Sequence, residues 1–533
     1  MLPVGVFTAF VYFSQMFVTA TPQRHWCRVP ELAHLDMELR RNLSAPPKGS
    51  GEINWDRCST FVTNWTRVLE TLTPPDPGTP TQPCQQGWEF ELGDIPYHTV
   101  VSERGWVCDN AQLVPSAQSL FFAGSLVGVM LFGWLADRFG RVPAVVGSNL
   151  IGCIGGVASI FTIGFWDFAF TRFLVGMSYD SLYMMLYILL LEYVGPRHRT
   201  WVANGSLGIF FGGGCVGLPW LAVWLSNWRT LLWVTSLPML IVVIGPFVLP
   251  ESASWLASRG RTRDAADVLK RLERVNKKVI PPLAIDKFIM SSNRKKSDES
   301  ITAIFKSAPL RLVFILANLV YMACGITFDG LVRMSESLGM DFFITFTLTS
   351  TTEIPSVILL SLILDRWGRR VLTCGSMLIS GLLAVTAGFV PQGIPVATLA
   401  IASRFFMNMS ACAMVQWTTE VLPTAVRASG SSIVHMTAYA AALMSPYVVF
   451  LGRVWSPLPM LIFGSISILA AIIGVLLPET KGRPMPQTIA DGEKLFKEYS
   501  ILSRRKGNKN RKAFDLEKLH ELKHLNSGSK MAT

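Results

Sequence analysis

Charged residues are scarce in this chain: Asp, Glu, Lys and Arg make up 16% of its 533 residues, against about 25% in an ordinary soluble protein. The sequence also lacks the paired-cysteine spacing of a zinc site and the P-loop that cradles nucleotide phosphates. The phrase GGGCVG, residues 212–217, fits a dinucleotide pattern, but it lies in an apolar run with no preceding strand, so close helix packing explains it better. We therefore expect no enzyme, no ATP-driven pump, no cofactor and no metal.

Apolar residues instead make up 50% of the chain and fall in long blocks, with a mean hydropathy of +0.39. A helix needs about 20 mostly apolar residues to cross a bilayer. The blocks predict an all-α polytopic membrane protein. The twelve predicted spans lie near 3–20, 113–136, 143–164, 168–191, 201–224, 230–249, 309–329, 342–364, 371–390, 395–417, 428–451 and 457–477.

The first of these spans has an alternative interpretation. Residues 3–20 form a short apolar run that ends in small residues, which is also typical of a cleaved signal peptide. The run has no basic residues before it, and eleven remaining spans would break the internal repeat described below. We therefore expect a retained helix.

Basic residues account for a net charge of +12, and their positions follow a pattern. They crowd residues 257–306, the tail after 481 and short linkers that alternate with linkers almost free of Arg and Lys. This pattern indicates topology, with both termini and the 257–306 segment in the cytoplasm, and not a nucleic-acid partner.

One large loop, residues 21–112, lies on the opposite side and contains four of the nine cysteines. They are Cys27, Cys58, Cys84 and Cys108. An even set in an outside loop predicts two disulfides, with three pairings open. The sequons at Asn42 and Asn64 predict glycosylation of the same loop.

A charged phrase occurs twice: GWLADRFGR at 133–141 and SLILDRWGR at 361–369, with a spacing of 228 residues. Further charges follow the same spacing, and one arginine pair is shifted by 232. We predict two homologous six-helix halves, 1–256 and 309–480, joined by a basic loop at 257–308 and followed by a basic cytoplasmic tail at 481–533. Parallel repeats of this kind build transporters with a substrate site between the halves.

The repeated charges are predicted to lie at cytoplasmic span ends, where they pair and hold the cytoplasmic side shut until the halves rock apart. Static pairing at helix ends is the alternative interpretation. The residues are Asp137, Arg138, Arg141, Arg172, Glu192, Arg199 and Glu251 in the first half, and Asp365, Arg369, Arg404, Glu420, Arg427 and Glu479 in the second.

These phrases resemble the loop motif of the major facilitator superfamily, and PESASWL at 250–256 with PETKGRP at 478–484 resembles its sugar-porter branch. Within that branch, TPQRHWCRVP at 21–30, GWEF at 87–90 and ERGWVCDN at 103–110 resemble the organic cation, organic anion and carnitine transporter family. The likeness runs from about residue 12 to residue 495. The chain departs from the family at its start, where that family has cytoplasmic residues and a longer first helix, so a truncated isoform is one alternative.

Candidate substrate contacts follow from the spans and from this resemblance. Tyr183 and Tyr187, with Tyr179, share one helix face, where aromatic rings hold a cation or simply pack. Glu353 and Asp329 are acids within or at the end of spans, where ionisable groups are usually functional. The resemblance implies that Tyr439 stands near the position where cation carriers have an acid and anion carriers an arginine.

Together these features predict a carrier of small organic cations or zwitterions such as carnitine, working by alternating access in the plasma membrane. Co-transport of sodium or protons is left open. An organic anion transporter, or a non-transporting receptor with the same fold, is the alternative.

Overall fold

The computed structural model describes residues 2–48, 55–193, 207–276, 280–281, 302–423, 426–482, 486 and 489–499. Within these ranges, nine helical segments are long and apolar enough to cross a membrane, and two shorter apolar helices accompany them. A further long apolar helix spans Phe165–Tyr193. The prediction of an all-α polytopic membrane protein is confirmed, whereas the number of twelve spans stays a prediction.

The first helix, α1 (Leu2–Val18), is part of the helix bundle and leads into a small folded loop domain. In this domain β1 (His25–Cys27) pairs antiparallel with β4 (Trp88–Phe90), and β2 (Ser59–Phe61) with β3 (Thr81–Pro83). The short helices are α2 (Met37–Ser44), α3 (Trp65–Thr71) and α4 (Val100–Arg104).

Two disulfides hold the loop domain together and select one of the three open pairings: Cys27 with Cys84, and Cys58 with Cys108. The domain needs them because its own apolar core is small. That core consists of Val29, Leu32, Leu43 and Val68.

Hydrogen bonds fasten the loop domain to one end of the bundle, which we call the loop end. The Tyr97 hydroxyl donates to the Phe17 carbonyl at 3.1 Å, and Arg104 donates to the Gly164 carbonyl at 2.6 Å. Both oxygens of Glu103 accept from Arg229 at 2.6 Å. These bonds from Arg229, with one from Trp228, hold the pKa of the Glu103 carboxyl below its usual range. The loop domain is therefore a fixed cover on this end.

The first half of the bundle consists of α1 and the helices that follow the loop domain. These are α5 (Leu113–Phe139), α6 (Arg141–Ala158), α7 (Phe165–Tyr193), α8 (Gly212–Leu225), α9 (Trp228–Ser236) and α10 (Gly245–Val248). Glycines allow close packing: a Cβ at Gly128 would lie 2.0 Å from the Met177 carbonyl oxygen, and one at Gly214 would lie 2.9 Å from the Ala9 Cβ. Gly214 belongs to the GGGCVG phrase, so its interpretation as a packing motif is confirmed.

Three helices precede the second half: α11 (Ala253–Ser258), at the end of the first half, and α12 (Thr262–Asn276) and α13 (Thr302–Lys306), in the basic segment. The second half comprises α14 (Ala308–Arg333), α15 (Phe342–Thr351), α16 (Glu353–Trp367), α17 (Arg369–Ala387), α18 (Ile394–Val421), α19 (Arg427–Ala442), α20 (Ser445–Phe450) and α21 (Leu458–Gly474). A last helix, α22 (Ile489–Tyr499), packs against the start of α14 at the end opposite the loop domain, which we call the tail end.

At the tail end the repeated phrase forms the same turn in both halves. Gly140, between α5 and α6, has a φ of +113°, and Gly368, between α16 and α17, has a φ of +93°. A Cβ at Gly140 would lie 2.4 Å from Glu251, and one at Gly368 would lie 2.7 Å from Glu479. Glycine is required at both turns because the backbone is left-handed and a carboxylate fills the space of a side chain.

The two glutamates cap the helices that begin at these turns. Glu251 accepts the backbone N–H groups of Arg141 at 2.8 Å and Val142 at 3.1 Å. Glu479 accepts those of Arg369 at 3.0 Å and Arg370 at 3.2 Å. The first N–H groups of a helix have no partner within it and carry a partial positive charge, so a carboxylate stabilises them.

The arginines of the phrase make ion pairs beside each turn. Arg141 contacts Asp137 at 2.8 Å, and Arg369 contacts Asp365 at 3.0 Å and Glu420 at 3.1 Å. Each of these pairs joins residues of one half.

His25 generates a pH prediction for the loop domain. Burial lowers the pKa of its imidazole from 6.5 to about 4, although its Nδ1 hydrogen-bonds the Pro22 carbonyl at 2.9 Å. The unfolded chain therefore binds a proton in a pH range where the folded domain does not. The contribution of His25 to the free energy of unfolding is fully present above pH 6.5 and is lost as the pH falls toward 4, by up to about 3 kcal/mol. We expect the thermal stability of the purified protein, measured relative to that of His25→Gln, to fall across this window, because the groups common to both proteins cancel in the difference.

Hydrogen bonds hold the pKa of the Asp56 and Glu103 carboxyls below their usual range, although burial opposes this, so these loop-domain groups do not contribute in the upper part of the window. An unchanged slope between pH 6.5 and 5 in His25→Gln would contradict the assignment.

Candidate substrate-binding cavity

The two halves are joined near the loop end by a layer of polar side chains, which we call the septum: Tyr12, Gln118, Asp329 and Arg333. Asp329 accepts from the Tyr12 hydroxyl at 2.6 Å and from Arg333 Nε at 2.5 Å. Arg333 also donates to the Gln118 side chain at 2.8 Å. Tyr12 and Gln118 belong to the first half and the other two residues to the second, so these bonds hold the halves together and close the loop end.

Asp329 is only 2% exposed and also accepts from the Ser445 hydroxyl. Its carboxylate is thus engaged with protein partners and does not line the cavity described next. Its predicted contact with substrate stays a prediction, while in this conformation its geometry serves closure.

A cavity of about 290 Å³ lies on the tail side of the septum, between the halves. Its walls are rich in aromatic rings: Tyr12, Phe122, Tyr179, Tyr321, Phe328 and Tyr439. Tyr12 stacks on Tyr179 with ring centroids 4.6 Å apart, and Tyr439 meets Tyr179 edge-on at 6.1 Å. Such rings attract a cation through their π-faces.

Asp180, on α7, also lines this central cavity. Its Oδ1 accepts a hydrogen bond from the Tyr439 hydroxyl at 2.5 Å. Among the residues that the structure describes, no Lys or Arg forms an ion pair with it. The sequence analysis missed Asp180, although an acid in the middle of the predicted span 168–191 is itself a signal. Tyr439 has no charge of its own, but the structure places a carboxylate beside it from the opposite half.

A second acid of the cavity, Glu353, is paired. Its carboxylate contacts Arg404 at 2.9 Å, and the Arg404 guanidinium lies 3.5 Å from the centroid of the Phe328 ring. Arg404 lies ten residues after Ile394, the start of α18, and is fully buried. Its predicted position at a cytoplasmic span end was therefore wrong. α7 begins at Phe165 and α18 at Ile394, a spacing of 229, so most of the four-residue offset arises within the helix, and Arg404 lies three residues further into α18 than Arg172 lies in α7.

Arg172 was misplaced in the same way. It is 1% exposed, near the loop end of α7, where it donates to the Ser159 hydroxyl and lies 5.3 Å from the Phe168 ring. By the spacing of 228 the first half has Ser125 where the second has Glu353. The second half thus retains an acid–arginine pair whose acid the first half lacks.

Other predicted residues have simpler outcomes. The side chains of Tyr183, Tyr187 and Glu192, and all of Arg199, lie outside the described residues. Arg138 lies 5.3 Å from the Trp134 ring, and Arg427 donates to the Leu422 carbonyl at 3.2 Å.

The sequence analysis also passed over one H-E-x-x-H phrase at 520–524, in the basic tail outside the described residues. Such a phrase binds zinc when a helix presents both histidines and a third ligand joins them.

A bundle of apolar helices with a closed end, and with an aromatic cavity that contains acidic side chains between its two halves, defines a membrane transporter. The family model described as "Sugar (and other) transporter" matches residues 97–489, so the chain belongs to this family of the major facilitator superfamily and is a transporter, not an enzyme.

Known proteins resemble the chain over most of its length. The carcinine transporter of Drosophila melanogaster is 29% identical over 94% of this chain and 77% of its own. The beta-alanine transporter of the same organism is 31% identical over 92% and 85%, and the human organic cation/carnitine transporter 2 is 30% identical over 90% and 88%. The inward open xylose transporter XylE from E. coli, at 16% identity, has the same fold, with a TM-score of 0.60 over 74% of this chain and 91% of that one.

The Glu353–Arg404 pair generates a stability prediction. Glu353→Gln leaves a buried guanidinium without its counter-charge, which costs about 3–5 kcal/mol. We expect this variant to lose much of its thermal stability in detergent, and Glu353→Gln combined with Arg404→Gln to regain part of it. A double variant as unstable as the sum of the two single variants would contradict the pairing.

Proposed function

We propose that the protein carries small organic cations or zwitterions across the plasma membrane by alternating access. The observation that carries this proposal is Asp180, a carboxylate that lines an aromatic cavity and has no Lys or Arg ion-pair partner in the described part of the chain, although His435 lines the same cavity. Glu353 and Arg404 neutralise each other, so Asp180 gives the cavity an excess negative charge. An organic anion carrier is the weaker candidate because the arginine beside the cavity is already paired.

The relatives support the same substrate class, since they are named as transporters of carcinine, of beta-alanine and of organic cations with carnitine. We further propose that 1–256 and 309–480 are the moving halves, that both termini and the 257–308 and 481–533 segments are cytoplasmic, and that the loop domain is extracellular. Asn42 and Asn64 are both exposed on that domain, which supports their glycosylation. Sodium and proton coupling are tested by imposing each gradient on the vesicles used below.

Asp180→Asn tests the substrate class. We expect the kcat/KM for tetraethylammonium uptake into vesicles to fall at least about tenfold, equivalent to about 1.4 kcal/mol, because the neutral amide no longer balances the cation. Asp76→Asn, an exposed acid of the loop domain, is the matched control and should transport normally. Carnitine and para-aminohippurate in parallel report zwitterions and anions.

Unchanged tetraethylammonium uptake in Asp180→Asn would exclude Asp180 as the cation contact. If no substrate moves in any vesicle orientation or gradient, the protein is a receptor or an inactive form, and the transport proposal fails.

Asp137→Asn tests whether the repeated charges act as a gate. The Asp137 side chain is 78% exposed, so its pair with Arg141 contributes little to stability. We expect slower uptake at normal surface abundance, because the pair biases the movement of the halves. Normal uptake would leave the pair a static contact at a helix end.

A further inference from the structure

A second, larger cavity lies on the other side of the septum, under the loop domain. It encloses about 720 Å³ and is lined by the loop domain, by both ends of the disulfide Cys58–Cys108 and by the loop ends of the second half. We call it the outer cavity. None of its lining residues lines the central cavity.

Charged groups of both signs line this cavity: Arg57, Asp109, Glu336 and Arg453. In the part of the chain that the structure describes, none of the four belongs to an ion pair. Arg57 donates to the backbone carbonyl and the side chain of Gln23, both at 3.2 Å, and Arg453 lies 5.0 Å from the Phe450 ring. Glu336 accepts only the backbone N–H of Thr21, at 3.0 Å.

His25 also lines the cavity, and the part of the wall near it includes both guanidiniums. After burial, which is the largest cause, the charges of Arg57 and Arg453 both contribute to the low pKa of the His25 imidazole. The imidazole is therefore neutral near pH 7 and leaves the two arginines as the positive charges of this wall. Arginine presents a planar fork of N–H donors that matches a carboxylate.

We propose that the outer cavity binds a small zwitterion, with its carboxylate on Arg57 and Arg453 and its ammonium group at Glu336. Because these oppositely charged side chains do not form ion pairs with each other, their charges are available to a ligand that carries both signs. Of the acids, Glu336 is assigned to the ammonium group because it is half-buried, whereas Asp109 is exposed.

The outer cavity is separated from the central cavity by about one helical turn. Met16, Gln118 and Arg333 line the outer cavity, whereas Tyr12 and Phe122, one turn away on α1 and α5, line the central one. A turn of helix is about 5.4 Å. Breaking the septum bonds therefore connects the two cavities. The outer cavity then acts as a loading position for transported zwitterions, and this role rests on the proposed function.

The test is equilibrium binding of radiolabelled carnitine and choline to the purified full chain in detergent. Choline has the same cationic head as carnitine but no carboxylate. Asp180→Asn is present in every sample to weaken the central cavity. We expect Arg57→Gln and Arg453→Gln each to weaken carnitine binding about tenfold and to leave choline binding unchanged, with Arg67→Gln, an exposed arginine of the loop domain, as the matched control.

Glu336→Gln keeps an acceptor for the Thr21 N–H and should weaken the binding of both carnitine and choline, whereas the arginine variants should weaken the binding of carnitine alone. Misfolding would not remove carnitine binding and leave choline binding intact. Carnitine binding that is unchanged in both arginine variants, or weakened equally with choline, overturns the inference.

Transport measured separately distinguishes the two proposals. If carnitine binding depends on the arginines but no substrate crosses the membrane, the outer site stands and the transport function fails. If carnitine is transported with an unchanged KM in both arginine variants, the outer site fails and the transport function stands.

Discussion

A charge that the bundle places away from water needs a partner, and this requirement shapes the central region. Of the five Asp, Glu, Lys and Arg residues that are buried in the described part of the chain, four form two ion pairs, and the fifth, Arg172, contacts the Ser159 hydroxyl and the Phe168 ring. An unpaired ion in a low-dielectric interior costs several kcal/mol even after the protein relaxes. Arg404 is answered by Glu353, and Arg333 by Asp329, whose carboxylate also accepts from Tyr12 of the other half. The second arrangement closes the loop end because its partners belong to different halves.

Asp180 connects structure to function. A tyrosine hydroxyl stabilises its carboxylate, and in the described part of the chain no Lys or Arg forms an ion pair with it. A carboxylate in this position has a high free energy without a counter-ion, and a bound ligand of opposite charge lowers that free energy. The aromatic rings around it provide apolar contact for the body of the same ligand.

The charges at the tail end follow a different rule, because they act on backbone groups. Glu251 and Glu479 each cap the start of a helix through a turn that only glycine fits. This use is local to each half, which is why the phrase is duplicated so closely.

Hydropathy, charge bias and repeat spacing determined the membrane class, the approximate spans, the loop domain and the tail-end turns, because these depend on local composition and on contacts between neighbouring helices. Only the tertiary structure decided the disulfide pairing, the interior position of Arg172 and Arg404, and the meeting of Asp180 with Tyr439, which are 259 residues apart. Which helix faces meet across two packed halves depends on rotation and depth in the bundle, and no short stretch of sequence contains that information.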